Sequence, residues 1–157
     1  MKRTVLALGL LLLVLASPLA AQTVQVALFH EGMAEGDPSL RFLAYLIDGC
    51  LGELFEAGRI GTNAAARPSS REAFDSLDSD LAEKDAYVDL VVAILVSYEA
   101  NRAMPRCSYR VMRPGEKKAL STGAIDGPTP ASASPSDIEK AYFQLGSALM
   151  KACLKAF

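Results

Sequence analysis

The sequence predicts an α/β domain: a mixed five-stranded sheet with three helices, in the order β-α-β-α-β-β-β-α. Three observations carry this reading. Thr23 to Phe29 reads T-V-Q-V-A-L-F, where Val24, Val26 and Leu28 alternate and the last half is nearly all apolar, the composition of a strand covered on both faces. Tyr87 to Tyr98 contains V-V-A-I-L-V, the strongest strand signal in the chain, and belongs at the sheet centre. Between and after these runs, apolar residues recur at three- and four-residue steps, the period of a helix with one buried stripe. Helical crossovers imply parallel pairing, and three closing strands without a helix between them imply an antiparallel meander.

Residues 1–21 read as a secretory signal peptide. Lys2 and Arg3 start it, an apolar run spans Val5 to Ala16, and Ser17, Pro18 and small residues lead to Ala21. Cleavage is expected after Ala21, leaving 22–157 as a single α/β domain. The alternative is an uncleaved amino-terminal membrane anchor; Ser17-Pro18 would break a continuing helix, which favours cleavage. The apolar run is short of the roughly 20 residues a membrane span needs, and no later run is long enough. Removing 21 of 157 residues leaves 136, a length that buries roughly two thirds of its unfolded surface in one domain.

After the first strand, His30 to Gly36 is a loop rich in Gly and Glu, and Asp37-Pro38 opens a helix with Asp as N-cap and Pro at its first position. Leu40, Leu43, Ile47, Cys50, Leu51 and Leu54 make its stripe, and Gly58 stops it. Arg59 to Ala66 reads as a short second strand. Ser69 with Glu72 forms a capping box for a helix that buries Phe74, Leu77 and Leu81. After the central strand, Cys107 to Met112 is a strand, Arg113-Pro114-Gly115 a turn, and Lys117 to Asp126 the last strand. Gly127 to Pro135 is a Pro/Ser/Ala loop. Ser136 with Glu139 caps the final helix, whose stripe is Ile138, Ala141, Tyr142, Leu145, Ala148, Leu149, Ala152 and Cys153.

These residues resemble a known group. V-Q-V-A-L-F (Val24 to Phe29), the acidic Gly loop into D-P-S-L (Asp37 to Leu40), L-I-D-G-C-L-G-E-L-F (Leu46 to Phe55), the strand Asp85 to Val96, and Y-R-V-M-R-P-G with Ser121-Thr122-Gly123 are similar to the TolB amino-terminal-like α/β domain. That superfamily of envelope proteins includes CsgG-like, LpoB-like and FlgO-like members. Ala93 stands where the pattern commonly has Gly, and no Cys lies near the cleavage site for lipid attachment. The resemblance implies an envelope assembly or regulatory role rather than secretion-channel activity.

The chain carries 16 basic and 18 acidic side chains. Without the first 21 residues, which hold two of the cations and no acid, the balance is −4; an acidic protein of this kind is not a general nucleic-acid binder. Its three Cys do not make a disulfide scaffold or a metal spacing. Cys50 and Cys153 lie on the stripes of two helices and read as buried thiols; a bridge between them is the pairing an oxidising compartment would allow. The acids Glu72, Asp75, Asp78, Asp80, Glu83, Asp85 and Asp89 read as a solvated helix face.

Two constellations remain. The loop carrying His30, Glu31, Glu35 and Asp37 follows strand one and precedes a helix, where open α/β sheets often bind ligands. His30 is the only imidazole in the chain, and no phosphate-binding, zinc or nucleophile motif accompanies it. The second is cationic: Arg102, Arg106, Arg110, Arg113, Lys117 and Lys118 fall within 17 residues that hold one acid, so this segment is +5 and the rest of residues 22–157 is −9. Edge-strand protection would explain it, and so would a docking surface. Alternation puts Arg106, Ser108 and Arg110 on one side of their strand, expected to be a solvent face.

The sequence therefore reads as a non-enzymatic, periplasmic envelope protein with no cofactor, acting by binding a protein or an anionic envelope component. Two other readings stay open: a small-ligand-binding module using the loop after strand one, and a hydrolase centred on His30.

Overall fold

The computed structural model describes residues 21–34, 36–77, 87–98, 104–116 and 118–157. Residues 1–20 of the expected signal peptide, Leu81 and most of the acidic run lie outside the described residues.

β1 (Thr23–Glu31) pairs in parallel with β4 (Leu90–Ser97), Val24 opposite Leu90 and Glu31 opposite Ser97. On its other side β1 pairs in parallel with β2 (Ile60–Asn63) and, further along, with the two-residue β3 (Arg67–Pro68). β5 (Arg106–Met112) lies antiparallel to β4, and β6 (Ser121–Asp126) antiparallel to β5. The order is β2-β1-β4-β5-β6, with β3 continuing the β2 edge. The sheet is mixed, and β4 is its centre.

Strand alternation divides the apolar residues between two faces. Val24, Val26, Leu28, Leu90, Val92, Ile94, Val96, Cys107 and Val111 line face one. They are covered by α1 (Leu43–Glu56), through Leu46, Cys50 and Leu54, and by α3 (Pro135–Cys153), through Leu145, Leu149 and Cys153. Face two carries Ala27, Phe29, Val91, Ala93, Leu95 and Met112, and its described cover is the short α2 (Arg71–Asp75), whose Phe74 meets Phe29 edge to face at 6.0 Å.

Several boundaries differ from the sequence reading, each for a local reason. Asp37 does cap, its carboxylate accepting from Ser39 N–H at 2.8 Å, but the first turn is a 3₁₀ helix, Pro38–Phe42, that leads into α1. Gly58 ends α1 with a φ of +69°, a conformation that favours Gly. The strand expected over Arg59 to Ala66 is shortened to β2, because pairing with β1 lapses after Ala64 N–H reaches Val26 O and resumes only at β3, beyond the expected range. The cap of α2 is Ser70, not Ser69: Ser70 Oγ accepts from Ala73 N–H at 3.2 Å. The cap of α3 is Ser134, not Ser136, because Pro135 occupies the first helical position, where its missing N–H costs nothing. Within α3, Ala148 is exposed, and Gly146 and Met150 are buried in the stripe. The last strand starts at Ser121, four residues later than expected.

α1 and α3 cross backbone to backbone. A Cβ added at Gly49 would lie 2.2 Å from Phe143 O, and one added at Gly146 would lie 2.0 Å from Leu46 O. Cys50 Sγ donates to Gly146 O at 3.3 Å across the same crossing. At its outer side Glu53 accepts from Ser147 Oγ and pairs with Lys151 Nζ at 3.0 Å; the Ser147 hydroxyl first, then Lys151, hold its carboxyl below the usual range.

Cys50, Cys107 and Cys153 are all free and buried, so the bridge the sequence allowed between Cys50 and Cys153 is not formed in this structure. Burial raises all three thiols, Cys153 up to about 12, and the neighbouring Cys107 and Cys153 raise Cys50 further.

Two outcomes follow. Gly146→Ala should lower stability by about 1–3 kcal/mol, the cost of overpacking a fixed contact, and urea denaturation should show a lower midpoint at unchanged slope. The thiols bind their protons more tightly folded than unfolded, so their contribution is complete below the unfolded value of 9.0 and is lost as pH rises toward about 12. Urea midpoints measured from pH 8 upward should fall through that window, and Cys153→Ala should flatten the fall.

Candidate functional site

The residues of the loop after β1 do different jobs in different places. His30 and Glu31 are consecutive in a strand and so point to opposite faces. His30 follows Leu28 on face one, is 8% exposed, and its Nδ1 has no hydrogen-bond partner among the described residues. Nearby on that face the Tyr98 and Tyr142 hydroxyls are 2.6 Å apart, and Phe42 stacks on the Tyr142 ring at 5.4 Å. Burial first, then the Tyr142 hydroxyl, pushes Tyr98 far above the ordinary tyrosine range. Asp37 is spent on its 3₁₀ cap. Glu35 lies outside the described residues.

Glu31 belongs to a network on face two that sequence reading missed. Its Oε1 accepts from Arg71 N–H at 2.9 Å and its Oε2 from Ser97 Oγ at 3.0 Å. The Arg71 guanidinium donates to Ser108 Oγ at 2.7 Å and Ser97 Oγ at 3.1 Å. One Arg thus ties α2 to β4 and β5 and, through Glu31, to β1, at the carboxyl end of the parallel strands. Nothing in the local sequence marks it: the four residues come from four elements. Ser97 and Ser108 stand on the face opposite His30, so no Ser–His pair arises from them. Among the described residues, no group of three or more His, Cys, Asp or Glu is placed to hold a metal ion.

The cationic hairpin is also divided. Alternation does put Arg106, Ser108 and Arg110 together, but their side is face two and is not a solvent face. Ser108 is buried under Arg71. Arg110 is half-buried: its Nη1 donates to Asp75 O at 2.7 Å, at the end of α2, and its Nε is buried without a partner among the described residues. Arg106 is half-buried with its Nε 4.0 Å from Asp126. The turn end differs. Arg113 is exposed beside Glu116 at 3.4 Å, and Lys118 is exposed. Gly115 makes this turn at a φ of +82°. Arg102 and Lys117 lie outside the described residues. The structure therefore separates cations that hold face two from cations that stand in water.

No family model matches the chain, and no curated protein matches it. Solved structures do. A neuraminyllactose-binding hemagglutinin homolog from Helicobacter pylori matches at a TM-score of 0.51 and 12% identity, over 88% of this chain and 84% of that one. TolB from Acinetobacter baumannii matches at 0.48 and 14%, over 87% of this chain; the chain spans 28% of TolB's length. The lipoprotein GNA1162 from Neisseria meningitidis matches at 0.46 and 15%, over 85% of this chain and 99% of that one. The likeness to the Helicobacter protein is one of fold, and TolB, whose amino-terminal-like domain the sequence resembles, stands among the solved structures this chain is similar to.

Proposed function

We propose that the chain is an exported, non-enzymatic envelope protein that works by binding an anionic partner, and that the turn end of the β5–β6 hairpin is the face that meets it. The observation that carries this is charge segregation: +5 within residues 102–118 against −9 in the rest of residues 22–157. A molecule so polarised is oriented as it approaches a negative surface. Arg113 and Lys118 stand exposed at that end, and Arg102 and Lys117 belong to the same segment. Acidic envelope proteins, anionic lipid headgroups and cell-wall polymer have the matching chemistry. The Helicobacter protein that shares the fold is named for binding, which supports a binding role. Export fits a fold whose first strand starts at Thr23, just past the expected cut.

Charge reversal tests the surface, and the structure supplies its own control. Arg113→Glu with Lys118→Glu should change stability by less than about 0.5 kcal/mol, because exposed charges contribute little. Capture of an envelope component by the purified protein should weaken sharply and should also fall with added salt. Arg110→Glu should instead lower stability by about 1–3 kcal/mol, since it removes a bond to Asp75 O and leaves a carboxylate half-buried. Unchanged capture by the double reversal would overturn the proposal. Intact mass of the protein from its host should give a chain starting near Gln22; Met1 retained in the membrane fraction would show an anchor instead.

A further inference from the structure

Among the described residues, the sheet edge opposite the hairpin has no further strand on it. β2 pairs only with β1, and all four of its residues are exposed. Ile60 N–H donates to Gln22 O at 3.0 Å and Ala64 N–H to Val26 O at 3.1 Å. Alternate residues of a parallel edge strand face away from their neighbour, so Gly61 and Asn63 turn their N–H and C=O groups outward. Proteins blunt such edges with Lys or Pro. The β3 stretch of this edge has Arg67 and Pro68, whereas Ile60–Asn63 has neither Lys nor Pro.

Beside the bare stretch is an apolar groove of about 580 Å³, lined by Leu51, Phe55, Gly58, Arg59, Ile60 and Gly61. Phe55 is 82% exposed and Ile60 53%. Gly61 keeps the groove's inner wall tight: a Cβ there would meet Leu51 at 2.7 Å. Arg59 is the one cation of the lining. Its guanidinium donates to the Gln22 side chain and lies 5.9 Å over the Phe157 ring, and its ion pairs include no carboxylate of the described residues.

We propose that this edge is a peptide-docking site, separate from the hairpin surface. An extended segment of a partner protein adds to β2 as a further strand, bonding Gly61 and Asn63. It seats an apolar side chain against Phe55 and Leu51 and sets a carboxylate against Arg59. The outward backbone groups select an extended peptide over a small ligand or a lipid, because only a strand answers donor and acceptor alternately. The groove selects the apolar side chain, and Arg59 the acidic residue beside it.

The probe is a labelled, capped decapeptide alternating Val and Thr with one central Asp, beside a version with Lys for Asp and one with a central Pro. The Asp peptide should bind the purified protein at least about tenfold more tightly than either counterpart, the size of one lost contact. Its binding should shift the Gly61 and Asn63 amide resonances. Asn63→Pro removes one outward N–H and Arg59→Glu reverses the charge; each should weaken binding about tenfold or more while circular dichroism shows the fold retained. If Asn63→Pro fails to fold, Phe55→Asp, at a side chain already in water, reads the same groove and should also weaken binding. Equal binding of the Asp and Lys peptides, or full binding by Asn63→Pro or Phe55→Asp, would overturn the proposal. So would sedimentation showing a dimer that Asn63→Pro returns to monomer, since a second copy would then be the occupant.

Discussion

The rest of the structure depends on two glycines that let α1 and α3 touch backbone to backbone. Gly49 lies against Phe143 O and Gly146 against Leu46 O, with no room for a methyl group at either point. Only that closeness lets both helices reach the same face of one sheet and bury Leu46, Cys50, Leu54, Leu145 and Leu149 together. It also explains the thiol: Cys50 sits at the crossing, where a larger side chain would hold the helices apart and where Gly146 O accepts its hydrogen bond. The same crossing leaves the end of α1 exposed, so that Phe55 stands in water above β2.

The two faces of the sheet are held by different means. Face one is closed by apolar burial over long helices. Face two, in the described residues, is closed by a five-residue helix that has too few turns to be stable alone. It is held by Phe74 against Phe29 and by polar ties from Arg71 and Arg110. Those ties recruit groups that look functional in one dimension. Glu31 becomes an acceptor for Arg71, and Arg110 becomes a donor to Asp75 O. What the described residues leave exposed lies at the periphery, at the hairpin turn and along the β2 edge.

The strands were the most legible part. Val26 to Phe29 and Leu90 to Val96 are apolar without interruption, the composition of a strand buried on both faces. The caps of α2 and α3 were legible to within two residues, because neighbouring serines compete to cap and Pro135 settles the choice at α3, whereas α2 ends at Asp75, short of the Leu77 and Leu81 it was expected to bury. The short β2 was blurred, because an edge strand has no burial to enforce a pattern.

By itself, then, the sequence determined the α/β class, the element order, the apolar stripes and the charge segregation, since each follows from composition and periodicity along the chain. Only the tertiary structure decided which polar groups act together. Arg71, Glu31, Ser97 and Ser108 meet although up to 77 residues separate them; His30 and Glu31 are adjacent and point apart. A hydrogen bond is set by distance in space, and a strand reverses its side chains at every residue. Sequence proximity therefore carries no information about either pairing.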